Sequence, residues 1–194
     1  SSTLVLGKLS GRAGLRARLE ELGYHLTQEE LNKAFEDFKE LADKKREVND
    51  RDLEALMSDR RRSEVELYKL EHVQVSCGDH EIPTATVRLI DPEGRVLTDA
   101  AIGTGPVDAV YVAINRILQV SNTLKEFSIG GITEGTDAIG DATIRIEKDG
   151  RIYTGRGSDT DIIVASAKAY MNALNRLLAM EGIQVGIEKT TVKR

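Results

Sequence analysis

Between Gly103 and Val107 the chain reads Gly-Thr-Gly-Pro-Val, and Asp108 and an apolar run follow. Glycines remove Cβ, so backbone N–H groups can come close to a guest. A helix starting there leaves about four N–H groups without intrahelical partners, and its start is partly positive. A small anion suits that position. No Lys or Arg lies in the turn, which favours a single carboxylate over a polyphosphate. The competing reading is a tight turn in which Asp108 stabilises only its own helix start. Further along, "IGGITEGTDAIGDA" from Ile129 to Ala142 is rich in small residues and carries Glu134, Asp137 and Asp141. A free amino acid needs a partner for its carboxylate, one for its ammonium and an apolar slot. The helix start could supply the first, and carbonyls or carboxylates of 129–142 the second. Ile129, Ile132, Ala138 and Ile139 could supply the third. A glycine-rich strand crossing a symmetry mate, where only small residues fit, gives the same pattern.

Other chemistries find little support. His25, His72 and His80 stand far apart, with no HxH or HxxxH spacing, so no metal site is expected. Cys77 is the single cysteine. At a strand end it reads as a small buried hydrophobe, in a reducing cytosolic setting or in a plastid stroma if the source is a plant. No nucleophile elbow, Walker lysine or dinucleotide fingerprint occurs, so this chain is not expected to run a reaction alone. Net charge is −5, aromatics are 4% and Trp is absent, a poor composition for a nucleic acid or anionic membrane partner. The basic run Arg60–Arg62 is flanked by acids and reads as a solvated turn. No apolar run approaches the ~20 residues of a membrane helix. The opening "SSTLVLGKLSGR" is not leader-like and reads as the interior of a longer protein.

The elements that would position these residues fall into two regions, with 1–60 expected as small helical subdomains and 64–194 as one α+β domain. In the first, Leu15, Leu19 and Leu22 share a helix face that stops at Gly23. Thr27 and Glu30 make a capping box before Leu31, Ala34, Phe35, Phe38, Leu41 and Ala42. Asn49 or Asp50 caps a short third helix with Leu53, Leu56 and Met57 inward. Three such helices are expected to lean on a neighbour. From Tyr68 the period becomes 2. "TATVRLI" and "RVLTDAAI" flank a turn at Asp91–Gly94, and a helix begins near Val107. The pattern then restarts, with a strand "LKEFSIGGI", a hairpin turning at Lys148–Gly150, a turn at Ser158–Asp161 and a longer helix. The two helices end in Asn-Arg-Ile-Leu and Asn-Arg-Leu-Leu. Two β-β-β-α repeats related by a pseudo-twofold axis are therefore expected, each helix on a sheet face, with a second copy completing the core.

Five stretches, "LVLGKLSGRAGLRARLEELGY", "FKELADKKREVNDRDLEAL", "GTGPVDAVYVAI", "TEGTDAIGDATIRI" and "DIIVASAKAYMNALN", resemble in order the C-terminal part of the 2-isopropylmalate synthase family. The resemblance implies helical linker subdomains followed by a regulatory domain that dimerises and binds leucine as feedback inhibitor. In that family a metal-dependent barrel condenses acetyl-CoA with 2-oxoisovalerate. That barrel, its divalent metal and its catalytic residues have no counterpart here, so no catalytic residue, cofactor or metal ligand is assigned. Many relatives carry His where Leu9 stands, and Lys8, Ser10 and Arg12 could approach a partner barrel. The resemblance places the effector site on Gly103, Thr104, Gly105, Pro106 and Val107, on Ile129, Ile132, Ala138, Ile139, Gly140 and Ala142, and on Ser158 and Thr160. Tyr111 is read as core. The regulatory domain of citramalate synthase, sensing isoleucine, and a ligand-free dimerisation module are the alternatives.

Overall fold

The computed structural model describes residues 6–7, 11–58, 66–130 and 138–191, with 6–7 and 183–191 as backbone only. The chain divides into two compact units, Ser1–Glu64 and Val65–Arg194.

The first unit contains β1 (Leu6–Gly7), α1 (Arg12–Glu21), α2 (Gln28–Lys44), β2 (Glu47–Val48) and α3 (Asp50–Ser58). Helix α1 ends where Gly23 takes φ +90°, and Tyr24 N–H donates to Leu19 O while Gly23 N–H donates to Glu20 O. That is a Schellman ending, which satisfies two carbonyls the helix would otherwise strand. Thr27 and Glu30 form the expected capping box on α2. Asn49, not Asp50, caps α3, since its Oδ1 accepts Asp52 N–H at 3.0 Å and Asp52 returns a bond to Asn49 N–H. The antiparallel pair β1–β2 is too short to show a period in sequence. Leu15, Leu19, Leu31, Phe38, Val48 and Leu53 bury together, so these three helices have a core of their own and bury more than their lengths suggest.

In the second unit β3 (Lys69–Gly78), β4 (Glu81–Ile90), β5 (Val96–Ile102) and α4 (Pro106–Leu118) form one repeat. Strands β6 (Thr123–Gly130), β7 (Gly140–Lys148), β8 (Arg151–Asp159) and helix α5 (Ile162–Thr191) form the next. Each sheet is antiparallel, in the order β3-β4-β5 and β6-β7-β8. Both hairpin turns follow residue chemistry. Asp91 accepts N–H bonds from Glu93 and Arg95 before Gly94 at φ +83°. Asp149 and Gly150 both take positive φ, the conformation a two-residue hairpin prefers. The fold is α+β with two β-β-β-α units, as the repeat implies.

One buried cluster serves both repeats, built from Val87 and Leu89 of β4, Ile144 and Ile146 of β7, and the inner faces of α4 and α5. Helix α5 sits almost on the backbone of β8. A Cβ on Gly155 would lie 2.0 Å from Ala169 O, and one on Gly157 2.4 Å from Ala165 O. The Gly-Arg-Gly strand and the alanines at 165, 169 and 173 are therefore one packing device.

Candidate effector site

Two strand ends carry the residues singled out from the sequence. At the first, Gly103 N–H donates to Pro83 O at 3.0 Å, tying the β5–α4 turn to β4. A Cβ on Gly103 would meet Ala109 N at 2.4 Å and Ala109 Cα at 2.7 Å. This glycine thus serves the close approach of α4 rather than of a guest. Gly105 differs. It is the N-cap in extended conformation without a side-chain cap bond, and a Cβ there would meet nothing within 4 Å. The open side of the turn is at Gly105. Thr104 N–H donates to the Asp108 carboxylate at 2.8 Å, so one donor is used internally, as the self-capping alternative requires. Pro106 has no N–H, which leaves the N–H groups of Gly105, Val107 and Asp108 without intrahelical partners at the helix start.

At the second strand end the register brings the other segments together. Ile129 pairs with Ala142, Ala142 with Gly157, Asp141 with Ser158 and Gly140 with Asp159. Ser158 hydroxyl donates to the Asp141 carboxylate. Asp159 accepts from Lys168 Nζ at 2.8 Å and from Asp161 N–H at 3.0 Å. The Lys168 bond first, and the Asp161 N–H next, hold Asp159 below the usual carboxylate range. Asp161 in turn caps α5 through Ile163 N–H, and Thr160 is exposed. This turn is filled by its own side chains, whereas its pseudo-symmetric counterpart is open at Gly105. Ala138 is half-buried, Ile139 exposed, and Gly140 and Ala142 buried. Ile132, with Glu134 and Asp137, lies outside the described residues.

Two residues that sequence reading missed lie along β6 and lead toward this end. The ladder between β6 and β7 skips Lys125, so Leu124, Phe127 and Ile129 stand opposite Ile146, Ile144 and Ala142. Directly paired residues share a sheet face, so all three extend the core face of β7. Strand β3 has the same skip at Glu71, which places Leu70, Val73 and Val75 opposite Leu89, Val87 and Ala85. There both helices cover the row. On β6 every residue is exposed, with Leu124 47%, Phe127 37% and Ile129 43% accessible. An apolar row that continues a core yet stays this exposed among the described residues suits a partner or ligand. The skipped Lys125 interrupts strict alternation, which hid the row from a period-2 reading.

Among the described residues no three of His, Cys, Asp and Glu come together to hold a metal ion. No helix among them is long and apolar enough to cross a membrane. Tyr111 is buried against Tyr170 with ring centroids 4.3 Å apart. Burial first, and Tyr170 next, push its hydroxyl well above the ordinary tyrosine range.

The chain is 60% identical over 177 residues to a 2-isopropylmalate synthase of Crocosphaera subtropica, covering 91% of this chain and 33% of that protein. It is 56% identical over 191 residues to that of Trichodesmium erythraeum, covering 98% and 35%. It is 61% identical over 175 residues to that of Thermosynechococcus vestitus, covering 90% and 33%. The chain thus spans about a third of the length of these curated relatives. Residues 1–46 match a family described as homocitrate synthase post-HMGL domain-like. Residues 47–178, which take in both repeats up to the middle of α5, match the LeuA allosteric (dimerisation) domain, and the chain belongs to that family.

Proposed function

We propose that this chain is the regulatory part of a 2-isopropylmalate synthase and binds leucine as feedback inhibitor across a homodimer. The observation that carries the reading is the match of residues 47–178 to an allosteric, dimerising family. The bare row of Leu124, Phe127 and Ile129 supports it, because it offers apolar cover to an aliphatic side chain and to a second copy together. The open turn at Gly105 supports a carboxylate, and the Asp141 carboxylate, paired across the ladder with Gly130 of β6, is the group we assign to the ammonium. In this reading 1–60 are linker subdomains and 64–194 the regulatory domain. The parent enzyme, a cytoplasmic acyltransferase, joins acetyl-CoA to 2-oxoisovalerate in a barrel with a divalent metal. This chain without that barrel is inactive. Leucine favours one arrangement of the paired domains, and the linker helices pass that preference to the barrels.

Calorimetry of the chain with leucine, isoleucine and valine in parallel tests the proposal. Leucine is expected to bind tightest. Valine, one methylene shorter, should bind about tenfold or more weakly, the ~1–3 kcal/mol that such a group is worth in an apolar slot. Light scattering on the same samples should give twice 21.3 kDa. Tighter isoleucine binding would transfer the reading to an isoleucine sensor. A dimer without heat from any of the three would leave a structural module.

A further inference from the structure

The bare row on β6 has a counterpart within the same chain. On β3 the matching row of Leu70, Val73 and Val75 lies beneath both helices, and α5 reaches it from the other repeat. On β6, among the described residues, nothing buries Leu124, Phe127 and Ile129. Residues 47–178 match an allosteric, dimerising family, so a second copy of this chain is the natural cover.

Helix α4 shows which part of that copy fits. Among the described residues Val112 is the one large apolar side chain left exposed on a helix, 38% accessible. Laying Asn-Arg-Ile-Leu of 115–118 on Asn-Arg-Leu-Leu of 175–178 pairs Val112 with Asn172. Both motif asparagines hold the chain that leads into a first strand, Asn175 through Tyr68 N–H and O, Asn115 through the Asn122 side chain. The two helices are therefore equivalent there. Asn172 has work in its own repeat, since its Oδ1 accepts Arg156 N–H of edge strand β8 at 3.2 Å. Edge strand β5 needs no such acceptor from α4, because Asp99 accepts Ala100 N–H at 2.8 Å. That leaves position 112 free to be apolar and outward. Residues three, four and seven apart share a helix side, so Gly105, Asp108, Val112 and Arg116 form one stripe that starts at the open turn. From Gly105 to Val112 the stripe runs about 10 Å at 1.5 Å per residue. The row from Leu124 to Ile129, with Lys125 skipped, runs about 13–16 Å. A row of that length covers Val112 and still reaches the turn. Asp108 on the stripe and Lys125 beside the row carry opposite charges.

We propose that in the homodimer the β6 row of each copy lies along the α4 stripe of the other, so that every effector site is shared. The Gly105 turn of one copy holds the carboxylate, and the partner's Ile129 lines the apolar slot. A twofold axis makes the contact reciprocal and gives two equal sites. The place of leucine in this arrangement rests on the proposed function, whereas the contact between α4 and β6 does not.

Mixed dimers of the full 194-residue chain test both parts. Cys77, exposed rather than buried as its strand-end position suggests, is first changed by Cys77→Ser. One chain then carries Val112→Cys and the other Phe127→Cys, and diamide takes up the two hydrogens lost when a pair of thiols forms a disulfide. The mixture should give a covalent dimer on a non-reducing gel that neither variant gives alone. Its absence overturns the contact. For the shared site, Gly105→Trp blocks the turn and Ile129→Trp fills the slot, and neither variant alone should give heat with leucine. Co-expressed and isolated through different tags, their mixed dimer keeps one intact turn facing one intact row and should bind one leucine per dimer. No heat from the mixed dimer while wild type binds, or full binding by either variant alone, overturns the shared site. No heat from wild type overturns the leucine reading instead, and the cross-link then decides the contact by itself.

Discussion

Two glycines one residue apart do opposite jobs in the turn that opens α4. A Cβ on Gly103 collides with backbone atoms of Ala109, which cannot rotate away, whereas a Cβ on Gly105 projects into open space in an unstrained extended conformation. Gly103→Ala should therefore lower stability by about 1–3 kcal/mol or more, the usual cost of overpacking a tight site. Gly105→Ala should cost no more than about 1 kcal/mol, the N-cap preference of glycine over alanine, while weakening leucine binding by occupying the open side of the turn. Thermal denaturation and calorimetry on the two variants separate the roles. Equal stability losses would show that both glycines serve only the fold. The sequence marked both as glycine but held no information on which one α4 presses against. That depends on a tertiary approach, and the same holds for Gly155 and Gly157 beneath α5.

Turns and caps are the elements most legible in the sequence, because a few adjacent residues decide them. The Schellman ending at Gly23, the Thr27–Glu30 box and the Asp91–Gly94 turn all follow from local chemistry. Asp91 is a good probe of such a turn. Its burial opposes ionisation, but the Arg95 N–H and guanidinium and the Glu93 N–H together hold it below the usual carboxylate range. A carboxyl depressed in the folded state contributes stability above its unfolded pKa and loses it as pH falls through the folded one. From about pH 6 to about pH 3 the melting temperature of wild type should therefore approach that of Asp91→Asn. A gap that stays constant across this range would mean that the turn does not depend on the charge. Strand faces were less legible. The skipped residues Glu71 and Lys125 reverse alternation within β3 and β6, and a bulge leaves little trace in a single sequence. Leu124 and Phe127 were missed for that reason.

The whole molecule is built as a repeat that is not quite symmetric, and its functional reading lies in the differences. One glycine turn is open and the other is filled by Asp159, Lys168 and Asp161. One first strand, β3, is covered by the helices and the other, β6, is bare. One helix-end asparagine holds backbone and the other holds side chains. The repeat itself was visible in the sequence because both copies keep the same order of strand, hairpin, turn and helix. The asymmetry was not, since it arises from which copy's helix reaches which strand. In the proposed function leucine binds where the open turn and the bare strand stand exposed, between paired copies of this domain. Mapping backbone amide shifts during a leucine titration tests it most directly. During the titration, saturable shifts are expected at Gly103, Thr104, Gly105 and Val107, at Ile129, at 138–142 and at Ser158 and Thr160, with the Asp91–Gly94 turn at the far end of the sheet unmoved. Saturable shifts confined to the helices of residues 11–58, or none at all, would contradict it.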